Sequence, residues 1–331
     1  MKKLTAAGFV LTLVAGIVIG TNRPHAQTPP AQPAASGVRF HHVHLNSVNP
    51  SAAADYYPKA FTTATKTTFN GYDAVKTGNV YILFTKVNTA PPNSPQNAIW
   101  HFGWNTPDSR EYLAKFHALK LEVVPMWSDP EGNTVEISSD EPGGLPTTAQ
   151  LAEAKAKGVQ PSRRGGFQYL RGPDGALIEN AGNSPSEYFN HVHMHHEDPR
   201  CAQLWYQTHL QIGGAGRGRG EPITAANCKQ EYEEVTWPSL TKDGMHRNPA
   251  GSAAIADMVS ILIRPWHGPY ISSRGQAIDH FALSVPDLDA TVARLKGEGV
   301  KILEDIHPWG TMRAAMIEGP DLAAIELVEV K

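Results

Sequence analysis

One short phrase, a histidine set inside an apolar strand-like run, occurs four times in this chain of 331 residues. The histidines shared by the four phrases are His42, His101, His191 and His280. Imidazole is a common ligand of divalent metals and a common acid–base group near neutral pH. A single strand histidine is usually a surface or hydrogen-bonded residue, but four in the same local context indicate an internal repeat.

A second phrase, a turn followed by a short apolar strand that carries one glutamate, occurs near the end of each half. GPDGALIE ends at Glu179 and GPDLAAIE ends at Glu326. An acidic residue inside such a strand is costly to bury unless it is paired or bound to a metal. DPEGNTVE, which ends at Glu136, is the alternative to Glu179. We prefer Glu179 because a strand-like run precedes it and because Glu326 matches it.

The elements that carry these phrases also repeat. Each unit reads as a strand with the histidine, then a helix, then two or three strands. Two units fill each half, and a seam rich in turn residues separates the halves. We therefore predict domains at 38–182 and 188–331, with insertions near 138–158 and 211–251. Each half offers two strand histidines and one strand glutamate, the ligand set of a 2-His-1-carboxylate metal site with open positions.

On these phrases the chain resembles the vicinal oxygen chelate superfamily, which includes glyoxalase I, bleomycin-resistance proteins and type I extradiol dioxygenases. The resemblance covers almost everything after Gly37. It implies an α+β fold of four βαβββ modules, paired into two domains whose cupped mixed β-sheets surround a divalent metal. The sites that it implies are His42, His101 and Glu179 in one domain, and His191, His280 and Glu326 in the other.

The resemblance favours dioxygenase-like chemistry with iron(II), and manganese(II), zinc(II) or nickel(II) are the alternatives. Strands 81–86 and 260–265 carry no glutamate, so three ligands leave room for a bidentate substrate and dioxygen. Lyase or isomerase chemistry on a similar substrate is the other enzymatic interpretation. Tyr169, ten residues before Glu179, lies close to the signature of type I extradiol enzymes, in which a tyrosine hydrogen-bonds the ring-derived oxygen.

The chain also departs from that signature. Gly172 stands where an acidic or small polar residue is preferred, and Arg163 and Arg164 occupy the region of the expected acid–base histidine. In the second half Met316 takes the place of the tyrosine. The first half is therefore the better match to a dioxygenase, and the second half is the weaker one.

His44 and His193 lie two residues beyond proposed ligands, so they point to the same face of their strands. They are candidates for acid–base catalysis or for support of the ligands, and the alternative is a packed residue that lines the cup. Export is a separate prediction: residues 1–26 read as a cleaved signal peptide and 27–37 as a flexible lead-in, which places the protein in the periplasm or outside the cell. The alternative is a membrane anchor through residues 4–20.

The composition limits the partners. A net charge of −3 gives no electrostatic reason to expect nucleic acid or an anionic membrane surface as a partner, so a small-molecule substrate is expected. Cys201 and Cys228 form a disulfide or remain two unpaired thiols. The functional rival to an enzyme is a non-catalytic periplasmic protein of the same fold that binds a small molecule or a metal.

Overall fold

The computed structural model describes the parts of the chain that carry the repeated phrases. The described residues are 37–94, 96–128, 134–140, 156–158, 165–214, 222–229, 252–256, 259–266 and 268–330. The predicted signal peptide, nearly all of the lead-in and most of both predicted insertions lie outside these residues. Within the described ranges, no helix is long and apolar enough to cross a membrane.

The first two modules follow one another along the N-terminal half. The first contains β1 (Arg39–Ser47), α1 (Pro50–Ala54), α2 (Tyr57–Ala60), β2 (Ala64–Phe69), β3 (Tyr72–Thr77) and β4 (Val80–Lys86). The second contains β5 (Ile99–Asn105), α3 (Ser109–Ala118), β6 (Val123–Val124), a small hairpin of β7 (Trp127–Ser128) and β8 (Thr134–Val135), then β9 (Phe167–Arg171) and β10 (Leu177–Ala181).

The C-terminal half contains the other two modules. The third consists of β11 (Tyr188–His196), α4 (Pro199–Leu210), β12 (Gly213–Gly214), β13 (Ser252–Ala256) and β14 (Val259–Pro265). The fourth consists of β15 (Ile278–Val285), α5 (Leu288–Gly297), β16 (Ile302–Trp309), β17 (Met312–Glu318) and β18 (Ala324–Glu329). The predicted α+β class and the βαβββ modules are therefore confirmed.

The helices begin where the sequence supplies a cap. The Asp108 carboxylate accepts hydrogen bonds from two backbone N–H groups in the first turn of α3, and Asp287 accepts one from the Ala290 N–H in α5. Asp198 precedes α4, whose first residue is Pro199. Such residues satisfy or remove the unpaired N–H groups at a helix start.

The modules assemble into two eight-stranded mixed sheets. The first sheet has the order β16-β17-β18-β15-β1-β4-β3-β2, and the second has the order β12-β13-β14-β11-β5-β10-β9-β6. An antiparallel pair joins the two modules at the centre of each sheet, β1 with β15 in the first and β11 with β5 in the second.

This order corrects the predicted domains. The first module pairs with the fourth, and the second pairs with the third, so neither 38–182 nor 188–331 forms a sheet by itself. The four histidine strands are nearly interchangeable in sequence, and the repeat therefore does not specify which two pair. Side chains beyond the repeat favour the observed choice: the Asn46 amide on β1 donates to the Asp279 carboxylate on β15 (3.2 Å) and to the Gln276 carbonyl (2.9 Å).

One apolar core lies behind both sheets. In β1 the alternate residues Val43 and Leu45 are buried in this core with the helices, while His42 and His44, which alternate with them, face the other way. The ring centroid of Phe40 lies 6.0 Å from that of Phe281, which belongs to the same first sheet. It lies 5.9 Å from that of Phe189, which belongs to the second sheet. The concave faces of the sheets, the cups, carry the histidines and glutamates of the repeated phrases.

Polar contacts also join the sheets. Asp174, in the turn before β10, accepts a hydrogen bond from the Val48 N–H at the end of β1 (3.2 Å). Asp321, in the matching turn before β18, accepts one from the Glu197 N–H at the end of β11 (3.0 Å). The aspartate of each turn phrase therefore connects the two sheets, while the glutamate of the same phrase faces a cup.

A disulfide joins Cys201 in α4 to Cys228 in the segment 222–229. The structure thus selects the paired form of the two cysteines over two unpaired thiols.

Candidate metal centres

The first cup is the concave face of the first sheet around His42, His44, His280 and Glu326. The Nε2 atom of His42 lies 3.2 Å from Glu326 Oε2, and the Nε2 atom of His280 lies 3.8 Å from the same oxygen. Donor atoms of His42, His44 and His280 lie within 4.8 Å of one another. All four residues are buried, none more than 5% exposed.

In the first cup Nδ1 of His44 makes no hydrogen bond, and neither do three further ligand atoms: Nε2 of His42, Nε2 of His280 and Oε2 of Glu326. Buried polar atoms are normally hydrogen-bonded, and an exception requires an explanation such as a bound ion. The three ligand atoms point at one another from three strands, so a divalent cation among them would satisfy all three. The first cup therefore fits a metal by its own geometry.

A carboxylate behind His280 fixes that ring. The Nδ1 atom of His280 lies 2.6 Å from Asp279 Oδ1, and the Asp279 carboxylate also accepts from the Gly275 N–H (2.6 Å) and contacts Arg274 (3.2 Å). Burial opposes the charged form of His280, but the contacts with Asp279 and Glu326 raise its pKa to about 9. A carboxylate on Nδ1 leaves Nε2 directed at the cup and makes it a more basic ligand.

The other side of the first cup has a different support. The Nδ1 atoms of His41 and His42 lie 2.8 Å apart, so one ring donates to the other. Burial, together with the nearby His42 ring, lowers the pKa of His41 to about 3. Burial also lowers the pKa of His42 and His44. Neutral imidazoles are the forms that can ligate a metal.

The second cup is the concave face of the second sheet around His101, His191, His193 and Glu179. The Nε2 atom of His101 lies 3.2 Å from Glu179 Oε2, and the Nε2 atom of His191 lies 3.7 Å from Glu179 Oε1. The Nδ1 atom of His193 lies 3.0 Å from His101 Nε2. Donor atoms of all four residues lie within 4.8 Å of one another.

Tyr169 and Gly103 shape the second cup. Tyr169 pairs with Glu179 across β9 and β10, and its hydroxyl donates to Glu179 Oε2 at 3.1 Å. A Cβ on Gly103 would lie 2.8 Å from the His191 ring and 2.6 Å from the Glu179 carbonyl oxygen, so only glycine allows these strands to approach here. Behind the ligand, Asn190 Oδ1 lies 3.0 Å from His191 Nδ1.

The structure brings all six predicted ligands into two clusters but exchanges their partners. The predicted sets, His42 with His101 and Glu179, and His191 with His280 and Glu326, are wrong, because the sheets form between the first and fourth modules and between the second and third. The observed sets are His42, His280 and Glu326 in one cup, and His101, His191 and Glu179 in the other. Whether they hold a metal stays a prediction.

The remaining candidates can be placed as well. Glu136 contacts His117 outside both cups (2.9 Å), so Glu179 is the carboxylate that reaches a cup. His44 and His193 face the cups, as the strand period predicted. Sequence reasoning missed Asp279 and Asn190, although each is a polar residue directly before a phrase histidine, and that position was a readable signal.

Known proteins share this architecture. Residues 205–327 match the model of the Glyoxalase/Bleomycin resistance protein/Dioxygenase superfamily. Glyoxalase I from Zea mays has a similar structure, with a TM-score of 0.56 and 14% identity over 88% of this chain and 92% of that one. A dioxygenase candidate from Bacillus subtilis has a TM-score of 0.52 and 10% identity over 90% of this chain and 86% of that one. No curated protein sequence matches the chain.

These findings establish the fold of the chain and the superfamily of the domain at residues 205–327. The chain carries a domain of the Glyoxalase/Bleomycin resistance protein/Dioxygenase superfamily at residues 205–327, and both of its sheets have the vicinal oxygen chelate fold. The resemblance predicted from the phrases is confirmed. At these identities the solved structures establish the fold, and the chemistry has to be argued from the cups themselves.

Proposed function

We propose that this protein is a divalent-metal-dependent enzyme that acts on a small substrate held through adjacent oxygen atoms, with dioxygenase-like chemistry in the second cup. The observation that carries the proposal is the convergence of His101, His191 and Glu179 on one buried point, with the Tyr169 hydroxyl on the same carboxylate. This is the 2-His-1-carboxylate set that the sequence motifs indicated, assembled from different partners.

The donor distances support one shared ion in the second cup. Metal–ligand bonds of about 2.1 Å at right angles place neighbouring donors about 3.0 Å apart. His101 Nε2 lies 3.2 Å from Glu179 Oε2 and 3.0 Å from His193 Nδ1. His193 contacts the ligand His101 and is therefore assigned to support of the ligands, one of the candidate roles that the sequence analysis gave it. Three ligands leave room for a bidentate substrate and dioxygen. Proton handling then falls to Tyr169, and His44 keeps its predicted candidate role in the first cup.

The register of the strands leaves coordination positions open. Gly103 pairs with Glu179 in the second module, and the matching pair in the third module is His193 with Leu262. No second carboxylate therefore faces this cup from that position. A divalent metal bound here would supply Lewis acidity and, as iron(II), a binding place for dioxygen.

The protein groups have separate tasks in this scheme. Tyr169 holds the Glu179 carboxylate in one orientation and carries the proton that a bound substrate oxygen can exchange. Asn190 holds the His191 ring through Nδ1, so that Nε2 faces the cup. Trp100, whose ring lies 4.2 Å from that of His101 and 5.8 Å from that of Tyr169, contributes an apolar wall that keeps water out.

The decisive experiment measures metal content and oxygen uptake on the same preparation. Untagged protein should contain a divalent metal by elemental analysis and should consume oxygen with catechols. His101→Ala or Glu179→Gln should abolish the oxygen uptake and should lower the metal content by the share of the second cup. Metal without oxygen uptake would favour lyase or isomerase chemistry. Protein that holds no metal and loses nothing in these variants would contradict the proposal and favour the non-catalytic binding protein.

The role of His193 has its own test. His193→Gln should weaken metal binding in the second cup by about 10- to 100-fold, measured by competition with a chelator. His195→Gln is the matched control, because His195 lies on the same face two residues further along β11 and stacks between Trp100 and Trp266 instead (centroids 4.8 and 6.2 Å away). Unchanged affinity with an altered pH profile of turnover would return His193 to acid–base catalysis.

Export remains part of the proposal. The signal-like pattern of residues 1–26 supports it, and the Cys201–Cys228 disulfide is consistent with an oxidising compartment. Cell fractionation followed by N-terminal sequencing of the mature protein should find it in the periplasm or the medium, starting near residue 27. A full-length chain in the membrane fraction would instead support the anchor through residues 4–20.

A further inference from the structure

The two edge strands of the first sheet meet over the first cup. β2 and β16 are at opposite ends of the sheet order, yet the turn after β2 contacts the turn after β16. The Asn70 amide donates to the Trp309 carbonyl (3.0 Å), and the Thr311 N–H and hydroxyl donate to Asn70 Oδ1 (3.3 and 3.4 Å). We call these contacts the latch. A Cβ on Gly310 would collide with the Asn70 side chain, so the two turns touch closely.

Aromatic rings fill the space under the latch. The Trp309 ring stacks on the His42 ring, with centroids 5.5 Å apart and an angle of 13° between the planes. Tyr72 lies edge-on to His44 at 4.9 Å, and Phe69 lies 5.8 Å from Trp309. Trp309 is only 6% exposed and His42 is 0% exposed. A cation could rest among the ligands, but a substrate ring could not reach them while Trp309 keeps this position.

The rest of the first cup is small and mostly apolar. Ala74, Leu83, Ala282 and Ala314 are buried there with Trp309 as a separate apolar cluster. Phe69, Tyr72, Tyr81 and Met312 pack against this cluster, so besides the histidines and Glu326 its polar groups include the two tyrosine hydroxyls. Pocket walls of an enzyme usually combine apolar area with a few placed polar groups, so the exclusion of a substrate depends on Trp309.

The corresponding turns differ in the second sheet. In the first sheet the two turns of the latch are Asn70–Gly71 and Gly310–Thr311, each two residues long. Asn-Gly turns of this length are compact, because both residues accept positive φ; φ is 49° at Asn70 and 85° at Gly71. In the second sheet the equivalent connections are the long segments 125–166 and 215–251. The latch therefore depends on the two short turns, which the first sheet has and the second sheet does not.

We infer that the first cup binds a metal ion but excludes organic substrates, because the Asn70 latch holds Trp309 over its ligands. Turnover is then confined to the second cup, and the first cup holds its ion as a structural element. The claim that the first cup holds an ion rests on the proposed function. The claim that it excludes substrates rests on the latch alone.

The closure can be tested without any metal. Diethylpyrocarbonate modifies accessible histidines, and mass spectrometry reports the rate for each peptide. In the native protein His41, His42 and His44 should react far more slowly than His117, whose side chain is 51% exposed. Asn70→Gly removes the latch but keeps a residue that tolerates positive φ, and it should speed the reaction of the three histidines by roughly tenfold or more.

Two further variants control this experiment. Asn183→Gly makes the same change at another residue with positive φ (72°), and it should leave the reaction of the first-cup histidines unchanged. Asn70→Asp removes only the donor to the Trp309 carbonyl and should give a smaller acceleration than Asn70→Gly. First-cup histidines that react as fast as His117 in the native protein, or at the same rate in Asn70→Gly as in the native protein, would overturn the inference.

The exclusion of substrate is tested with a chelating probe. In the double variant His101→Ala/Glu179→Ala the remaining metal should sit in the first cup, and 4-nitrocatechol should give no spectral shift on binding. Adding Asn70→Gly should restore the shift. A shift with the latch intact would overturn the exclusion. No metal in the double variant would overturn the claim for an ion in the first cup, and the labelling result would still decide the closure.

Discussion

The first cup and the second cup share their ligand types. They differ in the residues that hydrogen-bond to the ligands and in the turns that cover the ligands. In the first cup Asp279 supports His280 and the latch brings Trp309 onto His42. In the second cup the amide of Asn190 supports His191, Tyr169 holds Glu179, and long segments replace the two short turns. The same repeated module thus supports two different environments, and the differences lie outside the repeated phrases.

Metal removal should give the largest effect on stability, and the two cups should differ in the rate at which they release their ions. An ion present at about 1,000 times its dissociation constant stabilises the folded state by about 4 kcal/mol. Treatment with a chelator should therefore lower the unfolding temperature, measured by calorimetry. Release should occur in two phases, the slow one from the latched first cup. A single phase in the native protein would remove this difference between the cups.

Substitution of the second-cup carboxylate should be next in size. Glu179→Gln should lower oxygen uptake about 100-fold or more, because a bound metal contributes several kcal/mol to catalysis. Glu136→Gln is the matched control, since this carboxylate lies outside both cups, and it should keep normal metal content and uptake. Equal losses of metal content and oxygen uptake in the two variants would contradict the assignment of Glu179 as the metal ligand.

Exchanging the supports behind the ligands should shift metal affinity more modestly. Asp279→Asn should weaken metal binding in the first cup by about 10- to 100-fold, because it replaces a carboxylate on the His280 ring by an amide. Asn190→Asp should strengthen binding in the second cup, where it makes the opposite change. Competition titrations with a chelator measure both shifts. Shifts of the same sign would contradict the assigned roles.

The smallest effect is expected at a contact outside both cups. Glu187, between β10 and β11, accepts hydrogen bonds from the Thr63 N–H (2.5 Å), the Thr63 hydroxyl (2.6 Å) and the Tyr112 hydroxyl. Burial alone would raise the pKa of Glu187, but these hydrogen bonds lower it below its ordinary value. Glu187→Gln should cost about 1 kcal/mol of stability at neutral pH, a small value because the group is partly solvated.

The sign of the pH dependence follows from that lowered pKa. The Glu187 contribution is present above the pKa of the unfolded chain and is lost as the pH falls through the lower folded value. The stability difference between the native protein and Glu187→Gln should therefore shrink in acid, as measured by urea unfolding at several pH values. Because this contact joins the modules of both sheets, the variant should affect both cups alike. A difference that grows in acid would contradict the assignment.

Much of the local structure could be predicted from the sequence. α4 begins at Pro199 and α5 at Leu288, directly after Asp198 and Asp287, and an aspartate before a helix is a start signal that can be read in the sequence. β2 is not predictable in this way, because its residues, Ala64–Phe69, are mostly threonine and lysine and lack an apolar alternation. The six ligands were identifiable because each interrupts an apolar strand.

The partners of those ligands could not be predicted. β1 and β11 carry the same phrase, so either could have paired with β5 or β15 by strand chemistry alone. The pairing depends on single contacts such as that of Asn46 with Asp279, whose importance appears only when the two strands lie side by side. The latch was hidden for the same reason, because its turns are 240 residues apart in the chain (Asn70 and Gly310).

The pairing of the first module with the fourth also affects how the chain can be made. The second and third modules are consecutive in the chain, so their sheet can form before the fourth module has been synthesised. The first module cannot complete its sheet until the fourth module has been synthesised, because β1 pairs with β15. Until then β1 presents an unpaired edge that can associate with other chains. A chain without the fourth module would therefore keep this strand edge exposed, even though the sheet of its second and third modules could already have formed.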